Sequence, residues 1–476
     1  MARLSGFARM PIPGPWALPF YGTHANAVRL LLDPIPTLER MWKEHGDVVA
    51  VAAGNPALVC AFGAGRNREV LSNPALFGND TNFFVEIPAD SSVQLIIKGL
   101  PFRDGDDARR HRRLMMPAFQ RSALDGYAGD IASITDKALA EWPVGAVTNV
   151  AVLTQRLVQR IAVQCFFGLP CTGDRTLGDI IAEVADLFVS PLTLALPYPL
   201  PGTPFKRLCD LTDEMIAALS TMFEEKRKAA PTHDVLSLML HAREEDGSSF
   251  SENDLIGEAI TLYVAGHDTQ AKTLAWTLFL LEQHPTVLAD LVDEVSGVLR
   301  GGLPSVEDIP KMPLLDRVLK ESMRVLAPVP TLFLRVARGE APLGAYTLPE
   351  GARVIISPFL THRDPAIYTE PRRFLPSRWE HIQPTAYEYL PFGAGPRTCI
   401  GAAFATMALR LMLAMIVQRF RLTLAYGAKI TAHAQSNLLW PKHGMPMLIA
   451  PQDRRFAPQK HVRGEIGQLV DLPMMV

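Results

Sequence analysis

The chain has 476 residues, of which 48% are hydrophobic and 20% are charged, a composition typical of globular proteins with a large core. Its 47 lysine and arginine residues nearly balance its 49 acidic residues, which argues against non-specific binding to nucleic acid. No run of 18 or more apolar residues predicts a membrane span, and the proline-broken start lacks the pattern of a signal peptide. We therefore expect a cytoplasmic protein.

The first elements in chain order are extended. Residues 10–22 (MPIPGPWALPFYG) predict a proline-stiffened segment without helix. In residues 47–62, two apolar runs flank a Gly-Asn-Pro sequence at 54–56, which predicts a hairpin. Farther along the chain, residues 346–357 predict a second hairpin that turns at the Pro-Glu-Gly sequence of 349–351.

The longest periodic segment spans residues 251–285. Ser251 and Asp254 form a capping-box pattern at its start, and Pro285 marks its end. About thirty helical residues span about 45 Å, which is enough to cross a domain. The segment is apolar nearly all round, so we expect a buried central helix.

Helical periodicity dominates elsewhere, which predicts a mainly α fold with small β-sheets. Length alone favours two or three domains, although no repeat or low-complexity linker marks a boundary. Residues 453–476 are polar and weakly patterned, so we expect a loosely attached tail.

The cysteines are scattered and odd in number, which fits a reducing compartment. The sequence has no C-x-x-C pair and no H-E-x-x-H helix, so a zinc site has no obvious ligand set. The cysteines are Cys60, Cys165, Cys171, Cys209 and Cys399.

Cys399 stands apart because it lies in a glycine-rich turn just before a predicted helix. A plain structural thiol, a nucleophile and a metal ligand are the three alternatives. Helix N-terminal amides favour the thiolate, and Arg397 adds a nearby cation. Three glycines let the backbone and a flat partner approach closely, whereas no local signature supplies the histidine base of a cysteine hydrolase. The glycines are Gly393, Gly395 and Gly401.

This turn, PFGAGPRTCIG, resembles the haem-binding loop of the cytochrome P-450 superfamily, whose pattern is Phe-Gly-x-Gly-x-Arg-x-Cys-x-Gly. Every fixed position is met, by Phe392, Gly393, Gly395, Arg397, Cys399 and Gly401. The resemblance implies that Cys399 is the axial thiolate on the iron of haem b. It also implies that Phe392 packs beside the thiolate and that Arg397 pairs with a haem propionate.

Within the long helix, Gly266, Asp268 and Thr269 interrupt an apolar run. A mid-helix glycine costs about 1 kcal/mol and a buried acid is also costly, although a threonine often simply bonds back to its helix. The stretch resembles the family's Ala-Gly-x-Asp/Glu-Thr motif, which begins here at Ala265. The resemblance implies that Gly266 opens space for dioxygen, that Thr269 donates a hydrogen bond during oxygen activation and that Asp268 relays protons through water.

Further cofactor contacts follow from the same resemblance. Residues 105–119 resemble the helix on the thiolate side of the haem, where Arg112 matches a propionate-pairing arginine, and Arg335 matches a third propionate partner. Ala108 stands where many relatives carry tryptophan or histidine. His111 is the candidate replacement, with a satisfied surface histidine as the alternative.

Glu321 and Arg324 lie three residues apart on a predicted helix. Alone, such a pair is usually solvated and contributes a few tenths of a kcal/mol. Together with residues 370–379 (EPRRFLPSRW), it resembles the family's Glu-x-x-Arg helix and its later arginine loop. The resemblance implies that Arg373 completes a buried network that supports the cysteine loop.

The basic run RRHRR is most simply a solvated helix face. With the thiolate nearby, it is also a candidate docking surface for an acidic ferredoxin or flavodoxin, through charge steering. The candidates are Arg109, Arg110 and Arg113.

The resemblance covers about residues 10–450 and implies a single domain over residues 1–452, with haem between the long central helix and the cysteine-loop helix. It implies a monomeric haem-thiolate monooxygenase that inserts one oxygen atom from O2 into a hydrophobic small molecule. Electrons from NAD(P)H would arrive through a separate ferredoxin or flavodoxin with its reductase. Two alternatives stay open: a peroxygenase or isomerase on the same fold, whose members typically lose the acid–alcohol pair, and a non-catalytic haem protein for sensing or electron transfer.

The pocket segments implied by the resemblance are mostly apolar, which predicts a medium-sized hydrophobic substrate: a terpenoid, fatty acid, steroid or polyketide. Core packing explains many of these apolar residues equally well. No fixed cation stands out to bind a carboxylate, which favours a terpenoid-like substrate. The segments are residues 83–103, 185–202, Val264–Ala265, Val329–Leu332 and Ser436–Leu439.

Overall fold

A computed structural model describes residues 6–17, 22–80, 87–88, 90–170, 176–190, 192–193, 196–435, 437–456 and 462–473. Cys171, Ser436 and parts of the predicted pocket segments 83–103 and 185–202 lie outside the described residues. Helices dominate what is described, and the expected mainly α fold with small β-sheets is confirmed.

The α-helices are long and form most of the body. They are α1 (Gly22–Leu32), α2 (Pro34–His45), α3 (Gly63–Leu71), α4 (Gly105–Met115), α5 (Arg121–Ala140), α6 (Val150–Phe167), α7 (Leu177–Phe188), α8 (Pro204–Lys228), α9 (Val235–His241), α10 (Glu252–Gln283), α11 (Pro285–Leu299), α12 (Pro313–Val325), α13 (Pro358–Thr361) and α14 (Ala402–Arg419).

The strands form four small sheets: a five-stranded sheet of order β1-β2-β8-β5-β3, a three-stranded sheet of order β4-β12-β9, and the pairs β6-β7 and β10-β11. They are β1 (Val48–Ala52), β2 (Asn55–Ala61), β3 (Phe77–Asn79), β4 (Val147–Asn149), β5 (Arg335–Ala337), β6 (Ala341–Leu343), β7 (Tyr346–Leu348), β8 (Arg353–Ile356), β9 (Phe420–Leu424), β10 (Ala432–Gln435), β11 (Leu438–Pro441) and β12 (Pro446–Pro451).

One predicted hairpin forms and the other does not. β1 and β2 pair antiparallel, as expected for residues 47–62. β7 instead pairs with β6 across a tight turn in which Gly344 has a φ of 59°. β8 is buried along its length and pairs with β2 and β5. The prediction of a 346–357 hairpin is therefore wrong, because burial takes β8 into the middle of the large sheet.

The central helix is the predicted one. In α10, the Ser251 hydroxyl accepts a hydrogen bond from the Asp254 amide, and the Asp254 carboxylate reaches back to the Ser251 backbone. Most of the 32 residues of α10 are buried, and α6 runs along it over many contacts. α10 also packs against α14, the helix that follows Cys399.

Among the described helices, α14 is the one long and apolar enough to cross a membrane, and 61% of that stretch is buried inside the protein. A buried core helix meets the same criterion, so this helix is weak evidence for a membrane span. It packs against α5, α11 and α12 as well as α10.

The described part of the tail is packed, which corrects the expectation of loose attachment for residues 462–473. Ile466 and Val470 are 1% and 0% exposed. The Asp471 amide donates to the Arg372 carbonyl at 2.9 Å. Two apolar anchors spaced four residues apart hold the tail, and the polar residues around this short apolar stretch conceal the pattern in the sequence.

Arg363 joins the tail to the interior. Its half-buried guanidinium donates to the carbonyl oxygens of Val325 and Leu469, the latter at 2.8 Å, and it lies 3.5 Å from the Phe359 ring centroid. Desolvation, with the charge of Arg324, lowers the pKa of Arg363 well below its usual value. The tail carbonyl thus stabilises a partly desolvated cation.

We predict that Ile466→Ala lowers the free energy of unfolding by about 2–4 kcal/mol, because it removes a buried side chain. The exposed neighbour Gln468 is the control, and Gln468→Ala should change the same quantity by less than about 0.5 kcal/mol. Chemical denaturation measures both, and equal small effects would show that the tail does not contribute to the core.

Candidate active site

The loop before α14 is folded around glycines. Gly393 and Gly395 have φ values of 70° and 72°, a region that favours glycine. A side chain at Gly395 would also collide with the Leu71 carbonyl. This position therefore requires glycine for two reasons, its backbone conformation and the lack of space. The Cys399 amide donates to the Phe392 carbonyl at 2.9 Å and closes the loop. Backbone bonding therefore fixes the position of the thiol.

The Cys399 side chain is exposed, and neighbouring protein atoms nevertheless desolvate the thiol and raise its pKa. The Gly401 amide and the Arg112 guanidinium act in the opposite direction and favour the thiolate. Arg112 is held in place by the Thr398 carbonyl, which accepts from its Nη1 at 2.7 Å.

Arginines gather beside this loop. Arg335 is 7% exposed, and desolvation together with the charge of Arg397 lowers its pKa to about 10. Arg397 forms an ion pair with Asp104 and donates to the Arg103 carbonyl at 3.1 Å. Arg338 pairs with the same carboxylate. Two guanidinium groups therefore share Asp104 while Arg335 lies close to their charges, and the excess positive charge suits an anionic ligand.

The middle of α10 is open to solvent, although the helix around it is buried. Val264, Asp268 and Thr269 are partly accessible and Ala265 is exposed. The Thr269 hydroxyl donates to the Ala265 carbonyl at 2.7 Å, which is the back-bonded arrangement typical of helical threonine. Asp268 lies 2.9 Å from Lys272 Nζ. The accessible stretch coincides with the predicted oxygen-activation motif.

Gly266 is itself partly accessible and lies where α6 packs on α10. A side chain at this position would collide with the Phe166 ring on α6. The glycine therefore lets the two helices pack closely, and its role in opening space for dioxygen stays a prediction.

His111 also differs from expectation. It is fully buried, its Nδ1 lies 2.8 Å from the buried Glu258 carboxylate, and its Nε2 lies 3.5 Å from Asp107. Both ring nitrogens thus face carboxylates of the protein, so the alternative of a surface histidine is wrong, whereas the contact with a haem propionate stays a prediction. The contact with Glu258 ties α4, which carries Arg112, to α10.

A buried carboxylate supports the loop from behind. Glu321 accepts from Nε and Nη2 of Arg324, both at 2.9 Å, and from Arg378 Nε at 2.9 Å. The Leu375 amide and the Trp379 indole donate to it at 2.9 and 3.0 Å. With two cations and two neutral donors, this fully buried charge is satisfied on every side.

Arg378, not Arg373, completes this network, so the prediction for Arg373 is wrong. The Arg373 side chain is about half exposed and pairs with Glu370, and only its carbonyl accepts from Arg324, at 3.0 Å. Residues 376–380 form a short 3₁₀ helix that brings Arg378 beneath α12. The two arginines lie five residues apart in one loop, and local sequence does not distinguish them.

His362 extends the network to the cysteine loop, and sequence reasoning missed it. Its carbonyl accepts from Arg324 Nη1 at 2.7 Å, and its Nε2 accepts from the Leu390 amide at 3.0 Å. Burial and the neighbouring Arg324 and Arg363 cations lower the pKa of His362, so the ring stays neutral and Nε2 keeps the lone pair that accepts this bond. Leu390 begins the segment that leads to Cys399.

Comparison with known families identifies this arrangement. The family model described as Cytochrome P450 matches residues 12–447. The chain belongs to the cytochrome P450 family. Like other members, this cytochrome P450 is a monooxygenase.

Similar proteins are known from actinobacteria. The P450 is 31% identical to a cyclooctat-9-en-7-ol 5-monooxygenase of Streptomyces melanosporofaciens over 396 residues, covering 79% of this chain and 83% of the relative. It is 28% identical to a pentalenene oxygenase of Streptomyces avermitilis over 442 residues, covering 90% and 95%.

Solved structures share the fold. The retinoic acid-bound cyanobacterial CYP120A1 gives a TM-score of 0.78, and the cytochrome P450DA heme domain gives 0.80. Each is 24% identical, and each comparison covers 94% of this chain and 100% of the other. At this level of identity, the likeness concerns the fold alone.

The residues of this P450 fit the family's thiolate-ligated haem. Cys399 presents an exposed sulfur, with a cation and an amide that favour its charged form. The arginines beside it carry more positive charge than Asp104 balances, which matches the two propionates of haem. Such a cofactor supplies the oxygen chemistry when bound, and the chain supplies ligation, charge and orientation.

We predict that Arg378→Met destabilises the protein by about 3–5 kcal/mol, because Glu321 would remain buried with one of its cations removed. Arg373→Met is the matched control, and its exposed ion pair should contribute less than about 1 kcal/mol. Urea denaturation and the ratio of bound haem to protein measure both effects. A larger loss for Arg373→Met would contradict the assignment.

Proposed function

We propose that this monooxygenase inserts one oxygen atom from O2 into a terpenoid, using haem b bound through Cys399. The observation that carries the proposal is the Cys399 sulfur itself, which is exposed, desolvated by neighbouring protein atoms and favoured as a thiolate by Arg112. In this proposal Arg112, Arg335 and Arg397 hold the haem propionates. Phe392 and Gly401 complete the loop through backbone bonds around the sulfur.

The predicted roles of Thr269 and Asp268 are part of the proposal. The Thr269 hydroxyl lies in the accessible stretch of α10 and is oriented by the Ala265 carbonyl. Its oxygen keeps lone pairs with which it can hold a water molecule at this stretch. Asp268, which pairs with Lys272, is the group that would pass protons to that water.

The described part of the pocket supports an apolar substrate. Phe102 and Phe333 meet edge to face with ring centroids 6.2 Å apart, and Phe333 is 62% exposed. Thr331 and Asn437 belong to two pocket segments and satisfy each other: the Thr331 hydroxyl donates to Asn437 Oδ1 at 2.6 Å. Arg103 is held by Asp107 and Asp254 and so does not offer a free charge. The walls thus favour a hydrocarbon skeleton over a carboxylate.

The names of the relatives support the same substrate class. Cyclooctat-9-en-7-ol and pentalenene, which appear in those names, are terpenoids. We infer a cyclic terpenoid as the substrate of this chain.

Electron supply through a ferredoxin or flavodoxin, in the cytoplasm, completes the proposal. Arg109 and Arg113 on α4 are each 64% exposed on the helix that carries Arg112. Arg110 and Arg113 both pair with Glu244, so part of the basic charge is balanced. The positive potential that remains is suited to weak, salt-dependent docking of an acidic electron carrier.

We predict that purified protein shows the red-shifted Soret band of a thiolate-bound ferrous carbon-monoxide complex, and that Cys399→Ala abolishes it. Cys209→Ala, which removes a partly buried thiol elsewhere, should leave the band unchanged. Titration with cyclic terpenoids, fatty acids and steroids then tests the substrate, and only terpenoids should displace the iron's water ligand at micromolar concentration. Tight binding of fatty acids alone would reject the substrate assignment.

We predict that Thr269→Ala keeps this spectrum but lowers the product formed per NAD(P)H consumed by about tenfold or more, with peroxide released instead. We attribute the loss to the missing hydroxyl. Thr269→Ser keeps a hydroxyl and should therefore retain most of the coupling between NAD(P)H consumption and product formation. Product and peroxide are measured together with surrogate redox partners. Unchanged coupling in Thr269→Ala would remove this residue from the mechanism.

A further inference from the structure

A buried lysine lies one turn beyond the predicted proton-relay acid. Lys272 is 9% exposed, and its Nζ lies 2.9 Å from Asp268 Oδ1. The same ammonium lies 5.1 Å from the ring centroid of Trp440 on β11. Lysine is rarely buried without a partner, and here a carboxylate and an aromatic face stabilise its charge.

The neighbouring histidine approaches the same carboxylate oxygen. The buried His267 has Nδ1 2.8 Å from the Tyr263 carbonyl, so Nδ1 carries the hydrogen. Burial lowers the pKa of His267, although Asp268 acts against this, and the ring is neutral near pH 7. Its Nε2 then carries a lone pair and faces Asp268 Oδ1 at 3.5 Å. His267 Nε2 and Asp268 Oδ1 are thus both hydrogen-bond acceptors, and they repel each other. The positive charge of Lys272 offsets this repulsion.

A second acid lies near this group from α7. Desolvation and the charge of Asp268 raise the pKa of Asp186, while Lys272 and His267 lower it in part. α7 crosses α10 closely, since a side chain at Gly178 would collide with the Tyr263 hydroxyl. In the described part of the chain, Asp268 and Asp186 thus both lie near Lys272.

We propose that Lys272 is a positioning residue for proton delivery in this monooxygenase: its ammonium pairs with Asp268 Oδ1 and holds that carboxylate at the accessible stretch of α10. This inference rests on the proposed function. Lys272 does not touch the reacting atoms. It fixes one rotamer of the carboxylate, because rotation of Asp268 would leave a buried ammonium without its partner. The cation–π contact with Trp440 holds the lysine in turn.

The chain contains a matched control for this arrangement. Lys320 on α12 also pairs with an aspartate one turn earlier, Asp316, at 2.8 Å, and lies 5.9 Å from the Trp379 ring centroid. It is 42% exposed, lies on α12 rather than on α10, and its side chain does not contact Glu321 within the described network. A substitution there removes the same kind of contacts without altering Asp268.

The test compares Lys272→Met, Lys272→Arg and Lys320→Met in the haem-loaded protein. Lys272→Met should lower the product formed per electron pair by about tenfold, with the dissociation constant of the terpenoid unchanged. Lys272→Arg keeps the cation and should restore at least half of the coupling, and Lys320→Met should match the unmodified protein. Full coupling in Lys272→Met, or an equal loss in Lys320→Met, would overturn the proposal.

A measurement independent of turnover separates this proposal from the proposed function. The free energies of unfolding of Lys272→Met, Asp268→Asn and the double variant form a cycle, and we expect non-additivity because the two groups are in contact. Additive effects would overturn the positioning role even if the enzyme is active. If the effects are non-additive but the protein oxidises no terpenoid, the contact between Lys272 and Asp268 is supported and only the substrate assignment is rejected.

Discussion

The placement of the Cys399 sulfur is the constraint on which the rest of this structure depends. Desolvation raises the pKa of the thiol, whereas the Gly401 amide and the Arg112 guanidinium favour the thiolate, the form that ligates iron in the family. These opposed effects require the sulfur to be held in one position. The glycine turns of the loop, its closure on Phe392 and its close approach to the Leu71 carbonyl provide that placement.

The buried Glu321 network serves the same purpose at a distance. A carboxylate with two arginines and two neutral donors is costly to bury but has one satisfactory geometry, so it favours a unique arrangement over a loosely packed one. Arg324 then reaches the His362 carbonyl, and the His362 ring receives the Leu390 amide. The polar chain thus begins at α12 and ends where the cysteine loop begins.

Sequence predicted the parts of the site that lie close together along the chain. The cysteine loop, the capped central helix and its polar interruption are each contiguous patterns, and each is found at the expected residues. Contacts between distant segments were harder to predict. Arg378 and Arg373 have the same chemistry in one loop, and only the 3₁₀ turn decides which is buried. The prediction for His111 rested on its neighbours in the sequence, whereas its partner Glu258 lies on another helix.

The packed tail has a consequence for the scaffold beneath the cysteine loop. Arg363 donates to the Leu469 carbonyl as well as to the Val325 carbonyl, so the docking of residues 462–473 and the hydrogen bonding of the scaffold depend on each other. A substitution that releases this segment would therefore loosen the scaffold from outside, without touching any residue of the cysteine loop.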